Sequence, residues 1–162
     1  MHTFFRSVDH YPDRNDACGI VMRLIDGLGY RLYWATEELR DCDYAYSAGE
    51  GTKTIGELIK HIWELVNWIH LNVCHQSTEN SCPGNVQGQR DNIFELLYQI
   101  RNSLSTMDQK DLFQVAIEGK PFWHIINGPL SDALSHTGQI ASFRRLNGNI
   151  VQRHYPFLCH SK

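Results

Sequence analysis

Apolar residues recur at helical intervals in four separate stretches of the chain, and no stretch sustains the alternation of a strand. From Asp16, a ready N-cap, Val21, Ile25, Leu28, Leu32, Ala35 and Leu39 step by fours and threes, which predicts a helix to about Arg40. Gly27 and Gly29 each weaken that helix by roughly 1 kcal/mol relative to alanine. The polar, glycine-bearing run 41–53 reads as a loop. Thr54 followed by Glu57 then matches a capping box, opening a second helix to about Cys74. Its buried side is expected to carry Ile55, Leu58, Ile62, Leu65, Val66 and Ile69. His61 falls in the arc between Leu58 and Leu65, so it is expected to face inward.

Turn formers fill 75–88, and a third helix is predicted over 89–107 on Ile93, Leu96, Leu97, Ile100 and Leu104. Residues 108–127 are irregular and read as a long crossover holding a short helix. The last helix begins with Asn127 and Gly128 as caps and Pro129 at the first turn, and it closes on Asn147-Gly148. Leu130, Ala133, Leu134, Ile140, Ala141 and Phe143 mark its core side. The pattern predicts an all-α fold, a four-helix bundle with a long crossover before the last helix. Residues 1–162 make a single domain, with its core over about 16–150 and tails at both ends.

Composition narrows the function classes. The chain has 162 residues, a formal net charge of −3 and a pI near 6.3, so it lacks the basic footprint of a nucleic-acid partner. No apolar run approaches the roughly 18–20 residues that span a bilayer, and the first residues do not read as a secretory leader. The five cysteines, Cys18, Cys42, Cys74, Cys82 and Cys159, form no C-x-x-C pair and read as reduced thiols of a cytoplasmic protein.

Of the nine histidines, His61 and His136 stand on predicted inward faces of long helices, and His124 lies where it can approach a pocket mouth. Asp132 and His136 are four apart and share one face of the last helix. Two imidazoles and a carboxylate form a donor set suited to Zn²⁺, Ni²⁺ or Fe²⁺ with positions left for water and substrate. His61 and His136 each lie about two turns into their helices, which suits helices running roughly parallel there. The competing reading is a surface Asp132–His136 pair beside a core His61 satisfied by a carbonyl.

TIGELIKHI, followed much later by PFWHIINGPLSDALSHTGQIASFRRLNGN, resembles the DinB/YfiT-like superfamily of four-helix-bundle metalloproteins over roughly residues 18–150. The resemblance implies a divalent metal (Zn, Ni, or Fe/Mn) held by a histidine of the second helix and an H-x(3)-H pair of the fourth. It carries onto His61 and His136, with Asp132 standing where the family has the first histidine of the pair. Asp132 is then a ligand, or orients His136 by a hydrogen bond. By analogy the activity is a metal-dependent thiol S-transferase or a hydrolase. The expected partner is a small-molecule substrate such as a low-molecular-weight thiol, and aromatic end segments allow a homodimer. The alternative is a non-catalytic, ligand-binding or stress-related bundle dimer that has lost the site. Gln139 and Arg144 are candidates for an anion or thiol contact, although Arg144-Arg145 also suits a helix C-terminus.

Overall fold

Asp16 accepts the Gly19 N–H at 3.0 Å and starts α1 (Ala17–Thr36), the first long element of the computed structural model, which describes residues 2–9, 11–75, 81–116 and 119–150. Thr54 and Glu57 exchange both bonds of the capping box, Glu57 N to Thr54 Oγ1 at 3.2 Å and Thr54 N to Glu57 Oε2 at 2.7 Å. They open α3 (Ile55–Val73), which follows the single turn α2 (Asp41–Tyr44). Asn85 caps α4 (Val86–Thr106), one turn earlier than its apolar pattern begins. Short helices α5 (Gln109–Gln114) and α6 (Trp123–Ile125) lead to α7 (Ser131–Leu146). The described residues are mostly helical and contain no strand, and none of their helices is long and apolar enough to cross a membrane.

The long helices pack in a ring, with α1 against α4 and α7, and α3 against the same two. Side-chain pairs give the directions. Arg90 at the start of α4 holds Thr36 and Glu37 at the end of α1, while Arg101 farther along α4 holds Asp26, so these helices are antiparallel. Trp63 bonds Asn92 and His70 bonds Gln99, which makes α3 and α4 parallel. Trp68 meets His124, His61 meets His136, and Tyr46 just before α3 meets Phe143, so α7 runs against α3.

Those directions correct two expectations. The helices bearing His61 and His136 are antiparallel rather than parallel. The long connection before the last helix joins elements of opposite direction and therefore starts and finishes at one end of the bundle.

The core fills the ring with Ile25, Leu28, Leu32, Leu58, Ile62, Val66, Ile93, Leu97 and Ile100, all at most 1 % exposed. The N-terminal segment is part of it rather than a tail. His2–Arg6 winds into a 3₁₀ turn, Phe5 is 1 % exposed, and its ring occupies the space over Gly29, where a Cβ would meet it at 2.2 Å. Trp34 Nε1 donates to Arg6 O and Arg23 to Val8 O, fastening the segment to α1. The C-terminal tail expected over 151–162 lies outside the described residues.

The buried face of α7 is narrow. Ala133, Thr137, Ile140 and Arg144 line it, and Leu134, expected in the core, is 44 % exposed. Thr137 satisfies its hydroxyl on Ala133 O at 2.8 Å, which lets a polar residue sit there. Arg144 is not a solvated dipole partner. It is 2 % exposed and donates to Trp34 O, Ala35 O and Glu37 O, closing the free carbonyls at the end of α1. Gly148, at φ +75°, ends the helix as its sequence predicts. Nearby, fully buried Asp43 accepts from Arg40, Asn147 and Asn149, tying α2 to the end of α7.

Candidate metal centre

The start of α7 differs from the capped entry its sequence suggests. Asn127 makes no cap. Ile126–Leu130 forms a wide turn in which Gly128 leaves helical geometry and the Ser131 N–H reaches back to Ile126 O. Ser131 Oγ donates to the same carbonyl at 2.6 Å. Pro129 has no N–H to contribute to the turn and is buried within it. The wide turn sets the rotation with which α7 leaves it, and that rotation brings Asp132 and His136 onto the side facing α3.

His61 stands at the α3–α7 seam rather than in the core, its side chain 27 % exposed, with Asp132 at 47 % and His136 at 16 %. His61 Nε2 lies 3.4 Å from Asp132 Oδ2, and His136 Nε2 lies 3.3 Å from Asp132 Oδ1. The two imidazole centroids are 4.9 Å apart. One donor atom from each of the three residues falls within 4.8 Å of the others, and such a group could hold a metal ion. The two imidazoles address different oxygens of the one carboxylate, His61 facing Oδ2 and His136 facing Oδ1.

Each imidazole is tied at its other nitrogen. His61 Nδ1 is 3.2 Å from Glu64 Oε2, and His136 Nδ1 is 3.0 Å from Gln139 Oε1. A proton on each Nδ1 would satisfy these oxygens, and each Nε2 would then turn a lone pair to the Asp132 carboxylate. Lone pairs facing a carboxylate require a proton or a cation between them. Metal-binding imidazoles are commonly oriented by an outer acceptor in this way. Glu64 went unread in the sequence, although its signal was present: His61-x-x-Glu64 and His136-x-x-Gln139 share one spacing.

Other candidates fall elsewhere. Tyr33 packs against Phe94 and donates its hydroxyl to Glu37. His70 is buried on Gln99, and burial holds its pKa below the ordinary histidine range. Cys18, Cys42, Cys74 and Cys82 are free thiols, with Cys18 and Cys74 pushed up in pKa by burial, the opposite of activation. No family model matches the chain, and no curated protein or solved structure does either.

Proposed function

We propose that the chain is a DinB-like divalent-metal-binding helical bundle that uses zinc, nickel, iron or manganese at His61, Asp132 and His136 to act on a small-molecule substrate. The observation that supports this most is the placing of one carboxylate between two Nε2 atoms, at 3.4 and 3.3 Å, with both Nδ1 atoms engaged elsewhere. The resemblance requires a second-helix histidine to meet the last helix, and α3 and α7 are packed neighbours. Asp132 then serves as a ligand in place of a histidine, which lowers the net charge of the centre by one.

Three protein donors leave positions for water or substrate. A cation bound there lowers the pKa of a water or thiol and so makes a nucleophile available near neutral pH. That chemistry suits a thiol S-transferase or a hydrolase. Glu64 and Gln139 hold the two rings in orientation, and the half-open seam admits the substrate.

The same contacts favour a second reading in which protons sit between Asp132 and the imidazoles and the bundle is non-catalytic. A thermal melt with and without Zn²⁺, Ni²⁺ or Mn²⁺ separates the two. At one hundred times Kd, a ligand of the folded state adds about 2.7 kcal/mol, equivalent to roughly 5–10 °C for a chain of this size. No shift with any of these ions, together with metal-free protein after supplementation, rejects the metal reading.

A further inference from the structure

His61, Leu65 and Trp68 occupy one face of α3, and each meets a different level of its antiparallel neighbour. His61 meets Asp132 and His136. Leu65 lines an open hollow with Gly128, Pro129, Ser135 and Asp132. Trp68 stands edge-on to the His124 ring at 6.2 Å. Seven residues at 1.5 Å each separate the first level from the last by about 10 Å.

The hollow thus lies beside Asp132, and its Gly128 wall is next to His124. The His124 Nε2 lies 3.9 Å from where a Cβ on Gly128 would stand, so the ring is next to Gly128, a residue of the hollow's wall. His61, His70 and His136 all have side-chain partners, whereas the half-buried His124 imidazole has no hydrogen bond or ion pair among the described residues. Polar groups removed from water are ordinarily paired. No lysine or arginine lines the hollow, and Leu65 and Pro129 give it an apolar floor.

We propose that this hollow binds an uncharged small molecule with three parts: a donor head at the cation, a short apolar body over Leu65 and Pro129, and a polar tail hydrogen-bonded by His124. The inference rests on the metal reading above and names the ligand class for that site. His124 reads the end of the ligand remote from the reacting centre.

The test uses the full chain loaded with Co²⁺, whose visible absorption reports ligands entering its coordination sphere. Three probes are titrated: imidazole, 4-butylimidazole, and the same compound with a terminal hydroxyl. The hydroxyl probe is expected to bind about tenfold more tightly than the butyl probe, the worth of one hydrogen bond near 1.4 kcal/mol. In His124→Phe that advantage should vanish while Co²⁺ and butyl-probe affinities stay unchanged, and His124→Gln should restore part of it. Equal affinities for the two probes, or an advantage that survives in His124→Phe, overturn the assignment. If no Co²⁺ band appears at all, the metal reading fails as well, so the two failures are distinct.

Discussion

His61 and His136 project from antiparallel helices and meet at a centroid distance of 4.9 Å, each turning Nδ1 to a residue three places farther along its own helix. That shared arrangement leaves two Nε2 atoms to bracket Asp132. If a cation is the third party, His61→Ala or His136→Ala should weaken Zn²⁺ binding at least about a hundredfold in a competitive chelator titration. The metal-free melt should move little, because neither ring belongs to the core. A large loss of stability with unchanged metal affinity would reverse the assignment.

Glu64→Ala and Gln139→Ala should each lower metal affinity by roughly ten- to a hundredfold, the usual effect of removing the group that orients a ligand. Glu64→Gln keeps an oxygen acceptor at Nδ1 and should recover most of the affinity. An alanine effect that glutamine does not rescue would point to the charge of Glu64 instead.

Gly27 and Gly29 of α1 should respond in opposite directions to alanine. A Cβ on Gly27 has nothing within 4 Å, so Gly27→Ala should stabilise the protein by up to about 1 kcal/mol. Gly29→Ala has to displace Phe5 and should cost about 3 kcal/mol, near the cost of truncating that ring. Urea midpoints of the two variants decide it.

Arg144→Ala should be among the most destabilising single changes, by about 3 kcal/mol or more, because it strands three carbonyls at the end of α1. Chemical denaturation measures it. A loss under 1 kcal/mol would mean that water replaces the guanidinium there.

Acid should unfold the chain partly through Asp43. Arg40 first, then Asn149 and Asn147, hold this carboxyl well below the usual carboxylate range. A depressed folded pKa gives a contribution fully present above the unfolded value near 3.9 and lost as pH falls from there toward the folded value. Stability measured between pH 5 and pH 3 should therefore drop, and Asp43→Asn should flatten that slope.

Much of this was legible in the chain. Caps at Asp16 and Thr54 act locally, through bonds to residues three positions on, and their signatures survive unfolding of everything else. The Asp132–His136 pair was legible for the same reason, since helical spacing alone puts both on one face. What the sequence hid depends on partners distant along the chain. Phe5 looked like part of a loose arm because Gly29 lies 24 positions away. Arg144 looked solvated because the carbonyls it satisfies belong to α1. Leu134 and Ala133 are one position apart, about 100° around a helix, and only the neighbouring helices decide which of them faces the core.

That angular sensitivity applies to Ile126–Leu130 as well. The wide turn works as the phase setting of α7. Removing one residue from it would rotate everything downstream by about 100°, taking Asp132 and His136 out of reach of His61 while leaving the composition of the helix untouched. The centre is therefore encoded as much in the number of residues between Trp123 and Asp132 as in the identity of its three donors.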